Sequence, residues 1–287
     1  MPDSSLTLSE SSLTKKSILP QFDPRYYQLT IQISLLFWAV FYLELSLPLS
    51  HVTAAIITGV LTQFGFTRYH NFPTNLLSTV NSTLSILILL HSSTWVWVAL
   101  ASFIAISSKF LIRYKNKHIF NPSNIGIVAV LLFTSSAWAA PGQWGQAMWF
   151  LLLIAGLGLI PLIGFSRLLT SISFLIIFST LILLRSIWLG DPWQIPIHQL
   201  QNGALLIFTF FMLSDPMTTP DNIIGRIIFG SWVAILGWVL QFVFYIPNAF
   251  LYALALSMPL VIYLNHAFNG QHFRWKTKTI QMNSKNN

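Results

Sequence analysis

The sequence predicts an all-α, polytopic membrane protein: about ten transmembrane helices in two inverted five-helix repeats, with helices three and eight short or broken. Three observations carry this. Hydrophobic residues make up 54% of the 287-residue chain and charged residues only 8%, at a mean hydropathy of +0.67, a balance far more apolar than that of a soluble domain. The apolar residues fall into ten runs, most of them close to the length that crosses a hydrocarbon core of roughly 30 Å. When the chain is threaded through those runs with both termini inside, every lysine and arginine except Arg185 falls on the inner side, as the positive-inside rule requires.

In order, the runs cover 27–47, 51–67, 76–91, 94–113, 123–140, 146–164, 168–189, 199–213, 222–245 and 248–267. Residues 1–24, rich in Ser and Leu but lacking a long apolar core, read as a flexible cytoplasmic tail. Residues 25–268 form one membrane domain, with repeats over about 25–140 and 146–268, and residues 269–287 form a basic cytoplasmic tail. The expected location is the inner (plasma) membrane, with both termini cytoplasmic. Trp95, Trp97, Trp138, Trp144, Trp149, Trp188 and Trp193 fall near the expected outer loops, where amphipathic rings form an interfacial belt.

The net charge of +8 does not indicate nucleic acid, because the basic residues lie between apolar runs rather than along one polar face. The chain has no cysteine, so it supplies no disulfide, thiolate-held cluster or Cys-based zinc site. None of its seven histidines forms a pair with ligand-like spacing, and no metal site is expected. A phosphate loop, a dinucleotide fingerprint and a nucleophile elbow are all missing, so catalysis by this chain alone is not expected.

Two internal alignments compete. A shift of 121 residues sets Asn81-Ser82-Thr83 over Asn202-Gly203-Ala204, and one of 125 sets Asn121-Pro122 over Ile246-Pro247; both move each segment by five and invert its direction. A shift of 94 matches Ser85–Ser92 with Ser179–Ser186 at higher identity but moves segments by four, giving a parallel repeat. Leu and Ile runs recur by chance, and the five-segment step uses all ten runs, so the inverted arrangement is the expectation.

Segments three and eight have strongly apolar cores, Leu84 to Leu90 and Leu205 to Leu213, that are short for a full crossing. Short segments at matching places in two halves point to a site made by broken helices. Segment eight ends in Ser214-Asp215-Pro216-Met217-Thr218-Thr219-Pro220, and the first half contains Asn121-Pro122-Ser123-Asn124-Ile125-Gly126. Both set an amide or carboxylate beside proline at the mouth of an apolar helix, where backbone groups lack partners and hydrocarbon supplies none. The candidate ligand-binding residues are therefore Asn121, Asn124, Asp215, Thr218 and Thr219, with Asn81 from segment three. Three roles are open to Asp215: capping the following helix, which is the foremost, accepting a ligand N–H, or ligating a cation with Thr218 and Thr219. Glu44 is the one acid inside an apolar run and sits near its outer end; Arg226 either neutralises Asp215 or Asp221 or marks the inner face.

The Asn-Pro-Ser-Asn-Ile-Gly run and the Phe210–Thr219 run, Phe-Phe-Met-Leu-Ser-Asp-Pro-Met-Thr-Thr, together resemble the two best-marked motifs of a membrane family. That family comprises the B component of the sodium-translocating NADH:quinone oxidoreductase and the D component of the Rnf electron-transport complex. The resemblance covers about residues 70 to 265 and implies two inverted halves of five helices. It also implies a membrane subunit of an electron-transport or ion-coupled complex, with the lipid bilayer and other membrane subunits as partners. Members commonly carry FMN on a threonine between helices five and six, through a phosphoester bond. Here that region, Ala140-Pro141-Gly142-Gln143-Trp144-Gly145-Gln146-Ala147-Met148-Trp149, has no hydroxyl to form the phosphoester. The expectation is thus a non-covalent flavin (FMN or riboflavin) or quinone-like ligand between the halves. From the residues alone, a carrier or channel for a small solute, or an accessory protein with no ligand, remains an alternative.

Overall fold

The structure, a computed structural model, describes residues 24–114, 117–139 and 165–268, together with Trp144, Leu152, Gly156 and Gly270. The expected tails and the expected sixth segment, 146–164, lie essentially outside the described residues. The helices are α1 (Pro24–Phe41), α2 (Leu49–His70), α3 (Leu76–Leu89), α4 (Trp95–Leu111), α5 (Pro122–Phe133), α6 (Phe165–Leu189), α7 (Gln194–Leu200), α8 (Gly203–Ile207), α9 (Ile223–Phe242) and α10 (Ala249–Ala267). Four of them, within Leu49–His70, Leu168–Leu189, Ile223–Phe242 and Ala249–Ala267, are long and apolar enough to cross a membrane. Their faces away from the core carry exposed Ile57, Leu61, Ile176, Leu184, Ile235 and Leu256, as lipid-facing surfaces do.

The ends of the helices sort to two ends of the bundle. Arg25 on α1, Lys109 and Arg113 at the end of α4, Asn121 before α5 and Asp215 after α8 all line one cavity, which marks a basic end. The ends of α1 and α3, the starts of α2 and α4, and Trp138 beyond α5 surround another cavity at the opposite end. Thus α1 to α5 alternate in direction. In the second half, Arg185 of α6 stacks its guanidinium on Phe242 of α9 at 4.6 Å, so both helices finish at the end opposite the basic one. Asn265 of α10 accepts from the Asp221 N–H at 2.8 Å, which returns α10 to the basic end.

Packing repeats a pattern: α4 lies along α2 and α5, and α9 lies along α6 and α10. A Cβ on Gly126 of α5 would collide with the Ala101 carbonyl of α4, and one on Gly230 of α9 with Thr170 of α6. Glycine at these two places lets the backbones approach, the device that membrane helices use in place of a hydrophobic drive to associate.

Helices three and eight are short. At roughly 1.5 Å per residue, α3 spans about 21 Å, and α8 with its continuation spans about 15 Å, both less than a hydrocarbon core. α8 passes directly into a π-helical turn over Phe208–Met212. Both are buried in the core rather than facing outward: Ile86, Leu87, Phe210 and Met212 are almost wholly enclosed. Behind the π turn, Phe208 packs with Phe174 of α6 and Phe250 of α10 at centroid distances of 5.5 and 5.6 Å.

The boundaries depart from expectation most where α1 stops at Phe41 rather than near residue 47, where α5 stops and where the eighth run divides. α5 stops at Phe133, not near residue 140, because Thr134 turns extended and its hydroxyl takes the Ser136 N–H at 3.0 Å. The chain then forms β4 (Ala137–Ala139), which pairs antiparallel with β1 (Leu90–Ser92) and gives the backbone partners where α3 and α5 end. The expected run 199–213 divides, because Asn202 caps a new helix by accepting from the Ala204 N–H and leaves α7 separate. A second small pair, β2 (Arg113–Tyr114) with β3 (Lys117–His118), turns the chain between α4 and α5. The fold is thus almost all-α, with two short antiparallel pairs among the described residues.

Candidate functional site

The site is built where α8 breaks. In the π turn the i→i+4 ladder is lost, and the carbonyls are taken up by side chains as well as by the Leu213 N–H on Phe208 O. The Asn121 amide of α5 donates to Met212 O at 3.1 Å, and the Ser171 hydroxyl of α6 donates to Thr209 O at 2.7 Å. Thr209 bonds back to Leu205 O and Ser214 to Phe210 O. A membrane interior tolerates such a break only with partners of this kind.

Asn121 acts in two directions at once. Its Oδ1 caps α5, accepting from Asn124 N at 3.1 Å and from the Ser123 hydroxyl at 2.8 Å, with Pro122 in the first helical turn. Its Nδ2 secures the end of α8. Asn124, one turn on, donates to Leu251 O of α10 at 3.1 Å and is enclosed. The Asn-Pro-Ser-Asn run thus ties α5 to two second-half helices, α8 and α10.

Asp215 follows the break. Its Oδ1 accepts from Met217 N at 3.0 Å, closing a tight turn, and its carbonyl accepts from Thr218 N and Thr219 N, each at 3.1 Å. Its Oδ2 lies 3.9 Å from His118 Nε2. The expected capping of the next helix is therefore corrected: Asn222 caps α9, accepting from Ile224 N, because six residues separate Asp215 from that cap. The Arg226 guanidinium donates to the Pro220 and Asp221 carbonyls and so holds the loop through its backbone. The Asp221 carboxylate pairs with Lys117 at 2.5 Å.

These elements enclose a cavity of about 320 Å³. Its polar walls come from Asn81, Ser78 and Ser82 of α3, Lys109 of α4, Asn121 of α5 and Asp215 beyond α8, with Phe210, Phe211 and Phe110 as apolar surface. A volume of this order is that of a small-molecule site. Of the candidate residues, Asn81, Asn121 and Asp215 meet at it. Thr218 lines a smaller adjoining cavity with Lys117, His266 and Asn265, while the buried Asn124 and Thr219 line neither. Asn81 Nδ2 donates to the Arg25 carbonyl at 3.3 Å, but its Oδ1 is buried with no partner among the described residues.

Sequence reasoning treats Lys109, Arg25 and Arg113 only as markers of the inner side, and gives Ser78 and His118 no role at the site. A lysine inside an apolar run is itself a signal, since intramembrane charges are costly. Glu44 lies beyond the end of α1, exposed at the rim of the opposite cavity with His51 and His91.

Fold and site define the class: a polytopic helical membrane protein whose interrupted helix end opens on a polar, basic cavity inside the bundle. Residues 132–274 match the NQR2, RnfD, RnfE family, a stretch that includes the Asp215 motif. Relatives named as the D component of an ion-translocating oxidoreductase complex share 32% identity over 112 residues in Buchnera aphidicola subsp. Baizongia pistaciae, covering 38% of this chain and 32% of the relative. The same-named protein of Shewanella sediminis shares 26% over 89 residues (31% and 25%), and that of Citrobacter koseri 30% over 95 residues (32% and 27%). The matched stretches span about a third or less of these relatives. Over its second half the chain carries the family likeness that its motifs indicate.

Proposed function

We propose that this chain is a membrane subunit of an ion-translocating electron-transport complex and holds a non-covalent flavin or quinone-like ligand in the cavity at the α8 break. The observation that carries this reading is the convergence of Asn81 and Asn121 from one half with Asp215 from the other on a single polar cavity. An isoalloxazine presents ring N–H and carbonyl groups at one edge and two apolar faces; Asp215 supplies an acceptor, the Asn amides supply both kinds of partner, and Phe210 and Phe211 supply apolar contact. A quinone would use the same donors. Relatives named as belonging to such a complex support the assembly, and hence other membrane subunits as partners.

The inverted five-segment repeat belongs to the same proposal. A step of five maps the packed trio α2, α4 and α5 onto the segments that form α6, α9 and α10, which pack in the same way. A step of four would map it onto the sixth, eighth and ninth segments instead. Inner-membrane location with inward termini is likewise proposed, from the basic end of the bundle.

The visible spectrum of the chain purified in detergent tests the ligand. A flavin absorbance that survives purification, and is lost in Asp215→Ala while the protein still inserts, is the expected result. No chromophore and no extractable quinone, together with solute uptake into liposomes, would replace the redox reading with that of a carrier.

A further inference from the structure

The Lys109 ammonium reaches the cavity from α4 and directs its bonds to one residue: the Ser78 carbonyl at 3.0 Å and the Ser78 hydroxyl at 3.2 Å. An ammonium carries three donors, so a third is left over. Among the described residues no carboxylate lies within ion-pair distance of Lys109. Asp215, the acid lining the cavity, closes its own turn on Met217 and faces His118. A half-buried cation without a direct counter-ion is expensive, and most so inside a membrane segment. Arg25 and Arg113 line the same cavity, so its walls hold three Lys and Arg side chains against one acid.

We infer that Lys109 marks an anion-recognition subsite in this cavity, one that takes the phosphate of a phosphorylated ligand. The inference rests on the reading that the cavity holds a ligand, and narrows it. Riboflavin and quinones bring no anion and leave Lys109 without one. A phosphate brings oxygen acceptors and a charge of about −1.5 to −2, which suits a lysine flanked by two arginines better than a single carboxylate does. Two sources share that chemistry: the phosphomonoester of FMN and the headgroup of an anionic phospholipid.

Titration of the full chain in detergent with FMN and with riboflavin, read by quenching of flavin fluorescence, separates the possibilities. A bond to a charged group is worth about tenfold or more in affinity. Wild type should therefore prefer FMN by about tenfold or more, Lys109→Gln should lose the preference, and Lys109→Arg should keep it while eluting as the wild type does. Equal affinity for the two flavins, unchanged in Lys109→Gln, would remove the FMN phosphomonoester as the source and leave the flavin reading standing. A parallel arm purifies the variants from nanodiscs with and without phosphatidic acid. Retention of that lipid in wild type and Lys109→Arg but not Lys109→Gln assigns the subsite to a headgroup. Binding of neither flavin withdraws the flavin reading, and absence of Lys109 dependence in both arms withdraws the subsite.

Discussion

Removing the Asn121 side chain is a sharp test of how the break in α8 is held. Asn121→Ala deletes the cap on α5, a loss of about 0.5–2 kcal/mol for such caps. It also deletes the donor to Met212 O, a buried carbonyl whose remaining contact is the long 3.5 Å approach of Asp215 N. Leaving a buried acceptor short of a partner costs about 1–3 kcal/mol. Together these give roughly 1.5–5 kcal/mol, from adding the two ranges. Asn121→Ser separates them, because serine caps as well as asparagine but is too short to reach Met212. Its cost should be the second part alone, about 1–3 kcal/mol. The assay is unfolding of the detergent-purified protein by denaturant, followed by tryptophan fluorescence. The expected order of stability is wild type, Asn121→Ser, Asn121→Ala, with both gaps measurable. If alanine costs less than about 0.5 kcal/mol, the level of an ordinary surface change, the link between α5 and α8 contributes nothing and the reasoning fails.

Two further outcomes test the bundle. Gly126→Leu should disrupt α4–α5 packing by at least the roughly 1–3 kcal/mol of an overpacked core, because its Cβ meets backbone, whereas exposed Gly65→Ala in α2 should be neutral or gain up to about 1 kcal/mol; equal effects in thermal melts would reject the close approach. Epitope tags at either terminus should resist external protease in intact cells, and cleavage would show reversed orientation or an odd number of crossings.

What the sequence disclosed and what it hid follow from the range of each signal. Charge placement and apolar run length act over whole segments, so nine of the ten expected segments have helical counterparts among the described residues. Pairing of Leu90–Ser92 with Ala137–Ala139 is a contact between residues far apart in sequence, and no local pattern announces it. Asn121 and Asp215 are legible because proline beside a polar residue at the end of an apolar run has few structural uses. Their division of labour is not: Asn121 caps its helix, whereas Asp215 closes a turn and leaves capping to Asn222, a difference set by loop length rather than residue type. Lys109 is hidden by a rule that works. The positive-inside count explains its charge so well that its depth in α4 goes unweighed.

The break itself argues against a frayed helix end. Each of the carbonyls at Leu205, Thr209, Phe210 and Met212 takes a side-chain donor, and those donors come from α5 and α6 as well as from the α8 segment itself. The Phe174, Phe208 and Phe250 rings close the other side. A segment so bonded sits in one arrangement, which fixes where Asp215 emerges relative to Asn81 and Lys109. Because Asn121 holds the break with one end of its amide and starts α5 with the other, a ligand that competes for Oδ1 or for the N–H on Met212 O weakens one tie or the other, whereas one that accepts the second N–H leaves both in place. Competition of that kind would be felt at the α5–α8 junction, and the coupling has a direct measure: a competing ligand should change the unfolding cost of Asn121→Ser, while a ligand that leaves that cost unchanged disturbs neither tie.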